Sequence, residues 1–342
     1  MFKIKFSIVF MVMFSIFVFS SNSYGYDFDL VCLGSGGGAF ESDVTSYMVK
    51  SSTNKNYSLF LDGGSIMSGL VKFFENQGQK MENMDPETKI KYIANFIKNM
   101  SGIIITHSHL DHVSGFSIMG PFFLNMNFKM HIPSFKVFSS PTTIDNLEKY
   151  LYSGKIWGNF GHFPKKNSIL KYIKVKENEE FEAGQFKVRR FLVNHKVESS
   201  AYLLQNEKGN KFIFFGDTGT LSVSFWKQFR PFVKDETLKG IVIEISFPYE
   251  EGKLARNTTH LTRDTFINQF SYLADITPPE KFPLSDRDIL KYGKEISQKF
   301  KFPIIINHIK PWEYKKVMRD INLLKKSGLN IIVAKQGKSY KL

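Results

Sequence analysis

The sequence predicts a mixed α/β domain, and three observations predict it. Short apolar runs rich in β-branched and aromatic residues recur along the chain. Amphipathic stretches of helical period separate them, and no repeat, low-complexity tract or long linker breaks the alternation. Of the 342 residues, 42% are hydrophobic, enough for a substantial core and too many for a disordered chain.

At the N-terminus, Met1-Phe2-Lys3-Ile4-Lys5 is basic, residues 6–19 form an apolar run, and residues 20–25 are small or polar. That order describes a secretory signal peptide over residues 1–25, cut after Ser23 or Gly25, because the apolar run is short for a membrane span. An uncleaved anchor is the alternative, and the length disfavours it. Either reading places the domain over residues 26–342 outside the cytoplasm, periplasmic or secreted, with no stable membrane insertion after cleavage.

Cys32 is the sole cysteine, so no intramolecular disulfide can form; its place in Leu30-Val31-Cys32-Leu33 predicts a buried thiol in a strand. The formal charge is +14, and without Lys3 and Lys5 it is +12, from 44 basic against 32 acidic residues. Such a surface attracts anions, yet the lysines are scattered, so nucleic-acid binding is not expected.

The apolar runs predict strands over 28–33, 57–61, 103–106, 186–193, 201–204, 212–215, 241–245, 303–306 and 331–333. Helical patterns fall at 86–98, 144–152, 263–273, 286–299 and 312–326, and the aromatic, irregular stretch 122–173 is expected to be an insertion or lid. Just after the third strand comes Thr106-His107-Ser108-His109-Leu110-Asp111-His112, which concentrates three of the chain's 8 histidines. On extended backbone, residues two apart point the same way, so His107 and His109 can grip one ion while Asp111 and His112 face a second. Imidazole with carboxylate suits Zn²⁺, with Mn²⁺ or Fe²⁺ as substitutes. Two ions need further ligands. Candidates stand at three other strand ends: His195 after 186–193, Asp217 after 212–215 and His308 after 303–306.

With these residues in place, the chain resembles the metallo-β-lactamase superfamily, and within it the class II 3′,5′-cyclic-nucleotide phosphodiesterases. The resemblance rests on Leu33-Gly34-Ser35-Gly36-Gly37-Gly38, His109-Leu110-Asp111-His112, Phe215-Gly216-Asp217-Thr218-Gly219, Glu244-Ile245-Ser246-Phe247-Pro248, His260-Leu261-Thr262 and His308-Ile309-Lys310-Pro311. It implies an αββα sandwich of two mixed β-sheets flanked by helices. It also implies two divalent ions, one held by His107, His109 and His195, the other by Asp111, His112 and His308, with Asp217 bridging. A hydroxide shared by the ions would attack the phosphorus of cyclic AMP, or of cyclic GMP, to leave a 5′-nucleotide. Asp111 and His260 are the catalytic candidates, His260 as the acid or phosphate contact for the leaving 3′ oxygen. The alternative is another hydrolase on the same fold: a lactonase, β-lactamase, arylsulfatase or nuclease.

Gly34-Ser35-Gly36-Gly37-Gly38-Ala39 also fits a dinucleotide fingerprint, but Phe40 to Val49 carries no helical stripe, so a turn beside the site is expected instead. Asp62-Gly63-Gly64 is read as a second such turn, whose Asp in the superfamily supports the ligand histidines. After His112 the family usually runs through aliphatic residues to Ser-Ala or Ser-Pro; here Phe116-Ser117-Ile118-Met119-Gly120-Pro121 stands, which implies a different pocket shape. Lys310, His131 and His162 are expected to be ordinary solvent-side residues. The sequence assigns no oligomeric state.

Overall fold

The computed structural model describes residues 25–166 and 168–342, so the expected signal peptide lies outside the described residues except for Gly25. Strands β1 (Phe28–Gly34), β2 (Ser46–Ser51), β3 (Leu59–Gly63), β4 (Gly102–Ile104), β5 (Phe135–Ser139) and β6 (Leu170–Lys174) lie side by side in chain order. A second sheet repeats that plan with β7 (Glu180–Ala183), β8 (Phe186–Val193), β9 (Ser199–Gln205), β10 (Lys211–Phe215), β11 (Leu238–Glu244), β12 (Ile304–Asn307) and β13 (Ile331–Val333). The last strand, β14 (Ser339–Lys341), returns to pair with β1.

Each sheet is antiparallel in its first part and parallel in its second. The change falls at β3 in one and β10 in the other. Parallel neighbours need a long crossover, and the helices supply it. Helices α1 (Ile66–Asn76), α2 (Pro86–Ile97), α3 (Leu110–Ile118), α4 (Gly120–Met130) and α5 (Pro141–Asn146) link β3 to β6. Helices α6 (Val223–Lys227), α7 (Arg230–Lys234), α8 (Gly252–Thr258), α9 (Arg263–Ala274), α10 (Asp286–Ser297) and α11 (Tyr314–Lys326) link β10 to β13.

The side-chain alternation of β10 shows how the layers form. Phe212 and Phe214 enter the core between the sheets, while Ile213 and Phe215 enter the core under the outer helices with Phe266, Phe270 and Ile321. Both faces are thus buried, which is why the strand reads as a continuous apolar run. A third core lies under α1 to α4. The result is the αββα sandwich.

One expectation is corrected. The stretch 122–173 is not an insertion, since β5 and β6 belong to the first sheet and pair in parallel with each other and with β4. Among the described residues, the longest irregular run in it is 152–166. Cys32 is buried as expected. Among the described residues no helix is long and apolar enough to cross a membrane.

Candidate metal centre and active site

Every residue of the expected cluster stands beyond a strand end on one edge of the sandwich. Past β4, residues Ile105 and Thr106 carry the chain to His107; His109 then precedes α3, whose first turn holds Asp111 and His112. Strands β8, β10 and β12 deliver His195, Asp217 and His308 just after Val193, Phe215 and Asn307. This is the carboxyl edge of parallel strands, where α/β sheets gather ligands.

The donor atoms converge. His109 Nδ1 lies 3.1 Å from His107 Nε2 and 3.3 Å from His195 Nε2, and Asp217 Oδ2 is 3.8 Å from the latter two nitrogens. On its other side, Asp217 Oδ1 is 3.2 Å from His112 Nε2 and Oδ2 is 3.1 Å from His308 Nε2. His308 Nε2 also lies 3.2 Å from Asp111 Oδ2. Ligands about 2.0–2.1 Å from a tetrahedral ion stand roughly 3.3–3.4 Å apart, so these spacings suit donors around shared cations.

Hydrogen bonds behind the rings fix which nitrogen faces inward. His112 Nδ1 donates to Asp62 Oδ2 at 2.7 Å, and His195 Nδ1 donates to the Thr259 carbonyl at 3.2 Å. His107 Nδ1 is 3.0 Å from Thr106 Oγ1, whose own proton goes to Asp62 Oδ2 at 2.8 Å, so the ring is the donor. His308 Nδ1 stands likewise 3.0 Å from Ser246 Oγ, which donates to Glu244. In all four rings Nδ1 is the outward donor and Nε2 faces the cluster, where it would present its lone pair to a bound cation. Asp62, the residue read from sequence as a supporting carboxylate, serves both His112 and Thr106.

The electrostatics favour a cation here. His112 Nε2 is buried without a hydrogen-bond partner. Burial would lower this imidazole, yet Asp217 and Asp62 hold it well above its ordinary value, so the position draws positive charge. Burial would raise the Asp217 carboxyl, but His308 and His112 hold it well below the carboxylate range. His107 is pushed well below its ordinary value by burial, reinforced by His112, and stays neutral as a ligand must. A buried cluster of imidazoles and ionised carboxylates is able to bind divalent metal ions, which would take the place of the proton on His112.

His260 borders the cluster, with its ring centroid 5.1 Å from that of His195 and 5.4 Å from that of His308. Its partner is Glu244, the last residue of β11, whose two carboxylate oxygens both lie 2.9 Å from His260 Nδ1. Burial would lower the His260 pKa, and Glu244 overrides it, leaving the ring above its ordinary value. Glu244 also accepts from Thr218 N, Leu261 N and Ser246 Oγ, tying His260, the Asp217 turn and His308 to one carboxylate. In the sequence Glu244 and Ser246 stand only as letters of the Glu244–Pro248 motif, with no role attached. Their position at the end of an apolar strand, like the ligands', was the available signal.

The backbone is strained where the site is built. Asp62, Thr259 and His308 take φ values of 54°, 56° and 58°, a left-handed region that costs non-glycine residues of order 1–3 kcal/mol. The glycine turn closes on the cluster as expected: a Cβ on Gly37 would lie 2.6 Å from the His308 carbonyl oxygen and 2.7 Å from its Nδ1. Phe116 is buried in the core under α3, so the departure after His112 alters packing there. His131 ends α4, and His162 pairs with Glu148 at the surface. Lys310 is half-buried, and its backbone N–H donates to Ser246.

Comparison with known proteins gives the family and the fold. The family described as class II cAMP phosphodiesterases matches residues 34–337. A 3′,5′-cyclic-nucleotide phosphodiesterase of Aliivibrio fischeri is 30% identical over 358 residues, covering 99% of each chain. A probable 3′,5′-cyclic-nucleotide phosphodiesterase of Yersinia pestis is 26% identical over 96% of this chain and 93% of its own. The fold resembles unliganded yeast PDE1, with TM-score 0.74 and 19% identity over 93% of this chain and 100% of that one. A metallo-β-lactamase fold protein from Bacillus subtilis aligns with TM-score 0.56 and 15% identity over the same shares. A family match across most of the sequence, on a sandwich whose ligand edge is intact, leads to one conclusion: the chain belongs to the class II cAMP phosphodiesterase family.

Proposed function

We propose that this chain hydrolyses the 3′,5′-phosphodiester of cyclic AMP, and of cyclic GMP, to the 5′-nucleotide. The observation that carries this reading is the convergence of seven donors beside a histidine hydrogen-bonded to its own buried carboxylate. His107, His109 and His195 would hold one divalent cation, Asp111, His112 and His308 the other, and Asp217 would lie between them; Zn²⁺ suits the donor set best. Such cations supply neutralisation of phosphoryl charge and make water a competent nucleophile near neutral pH.

The chain's own residues do the rest. Glu244 orients His260 and raises its pKa against burial, which favours the protonated ring that would give its proton to the leaving 3′ oxygen, a poor leaving group without one. Asp111 is the more open carboxylate, its side chain 20% exposed against 4% for Asp217. Burial would raise its pKa, but His308 and His112 hold it well below the carboxylate range, so it would meet the cation and the substrate edge as an ionised group. The strained Thr259 and His308 backbones and the Gly37 turn hold the donors in register before substrate arrives.

The basic start, short apolar run and small-residue exit of residues 1–25 support export, with one catalytic domain over residues 26–342 acting in the periplasm or outside the cell. The mature chain then begins at Tyr24 or Tyr26, which N-terminal sequencing of exported protein decides.

The activity test is turnover of cyclic AMP, cyclic GMP, a nitrophenyl phosphodiester and a β-lactam by purified protein, with and without chelator. Chelator-sensitive hydrolysis of the cyclic nucleotides is expected. Turnover of the β-lactam alone would overturn the reading.

A further inference from the structure

A cleft of about 430 Å³ opens from the metal-binding edge, and His260 belongs to both. That volume is within the range of small-molecule sites. A phosphodiester seated against the cluster and His260 therefore has this space available for the group it carries. Another cavity, of about 320 Å³ next to the glycine turn, contains none of the cluster's side chains in its walls.

The cleft is firmly built. Its floor is one face of α9, where Asp264, Thr265 and Asn268 fall at helical spacing. One wall is the segment around Tyr249 and Arg256, and the other is the loop carrying Phe282. Both walls are tied to the buried Arg263. Its guanidinium lies 3.9 Å from the Tyr249 ring centroid, and its Nη2 donates to the Leu284 carbonyl at 3.4 Å. Asp264 Oδ2 accepts from Leu284 N at 2.9 Å, and Asp320 Oδ2 accepts from Tyr249 N at 2.9 Å.

On this rigid frame three groups are left free to meet a ligand. Phe282 is 49% exposed although Leu284, two residues on, is buried. Asn268 accepts from Gln269 Nε2 through Oδ1 at 3.2 Å, and its own amide N–H groups bond to no described residue. Arg256 has no ion pair among the described residues, whereas the two acids of the lining, Glu250 and Asp264, pair with Arg319 and Arg263, so the cation left free at this wall suits a nucleotide. An exposed aromatic ring, a carboxamide and a cation around a preformed slot are the recognition set for a nucleobase: the ring stacks on it and the carboxamide reads its edge.

We propose that this cleft is the nucleoside subsite, with Phe282 stacking on the purine and Asn268 hydrogen-bonding to its edge. The assignment rests on the phosphodiesterase reading. It makes Phe282 and Asn268 the residues that distinguish a nucleotide from a bare cyclic phosphate.

The test uses the full chain with its metal, and compares cyclic AMP, cyclic GMP and a base-less ribose 3′,5′-cyclic phosphate. Phe282→Ala should raise KM about tenfold for both nucleotides with kcat nearly unchanged. It should leave the base-less substrate unaffected, and Phe282→Trp should restore the KM. Asn268→Ala should change the ratio of kcat/KM between cyclic AMP and cyclic GMP by at least about fivefold. Unchanged KM in Phe282→Ala, or an equal loss on the base-less substrate, overturns the assignment; an unchanged ratio removes Asn268 from it. A wild-type chain that cleaves a nitrophenyl phosphodiester but neither cyclic nucleotide defeats the underlying reading as well, and so is distinguishable.

Discussion

Replacing Glu244 by Gln perturbs the site without removing any donor of the metal cluster. The carboxylate is 1% exposed and accepts from His260 Nδ1, Thr218 N, Leu261 N and Ser246 Oγ. Four donors match the lone pairs of a carboxylate, whereas a carboxamide offers one oxygen and brings two N–H groups of its own. Ser246 can rotate to accept, so at least one buried donor goes unmet, costing about 1–3 kcal/mol of stability. The lost charge-assisted bond to His260 is worth about 1.5–3 kcal/mol, or roughly ten- to 150-fold in rate if it acts fully in the transition state. The assay is kcat on cyclic AMP beside a nitrophenyl phosphodiester, whose leaving group departs without a proton. The expected result is a loss in that range on cyclic AMP, less than about threefold on the nitrophenyl substrate, and unchanged metal content. The pH profile gives a second readout. His260 works only while protonated, so activity falls as pH rises through its pKa. Glu244 raises that pKa against burial, so in Glu244→Gln the falling limb moves to lower pH. An equal loss on both substrates, or full activity on cyclic AMP, would refute the His260–Glu244 pairing.

Three further substitutions follow from the same contacts. Asp62→Asn removes the acceptor behind His112 and Thr106 and should weaken metal affinity about 10- to 100-fold, read by metal titration of the apo chain. Gly37→Ala places a methyl 2.6 Å from the His308 carbonyl and should lower stability by about 1–3 kcal/mol, with activity lost in parallel, read by thermal melting and turnover. His162→Ala, at a ring whose side chain is 67% exposed and, among the described residues, pairs with Glu148, should leave kcat, KM and melting temperature unchanged.

The metal-binding edge was legible in the sequence because its chemistry is local. Three imidazoles and a carboxylate within six positions leave few other uses, and β8, β10 and β12 are apolar enough to show where they end. Less visible elements had weaker local signals. Helix α1 carries Gly69, a poor helix former, because its backbone runs so close to Leu33 that a Cβ would sit 2.1 Å from the Leu33 carbonyl oxygen. Helix α4 opens on Gly120-Pro121 and is rich in aromatic residues, which disguises its period. β5 and β6 are five residues each and are interrupted by Lys136, Lys171 and Lys174, so they look irregular until the sheet places them. Glu244 was hidden for a different reason: a carboxylate ending a strand gains meaning only when His260, distant in sequence, folds back onto it. The cleft beside His260 is likewise a product of α9 meeting a loop, and no spacing rule announces it.

Metal analysis of the purified chain, run beside cyclic AMP hydrolysis, bears directly on whether distant strand ends assemble a two-cation site. The wild-type chain should hold two divalent ions per molecule and lose turnover when a chelator removes them, and Asp217→Ala should lose both metal and activity. One ion or none in a fully active chain, or undiminished hydrolysis by Asp217→Ala, would contradict it.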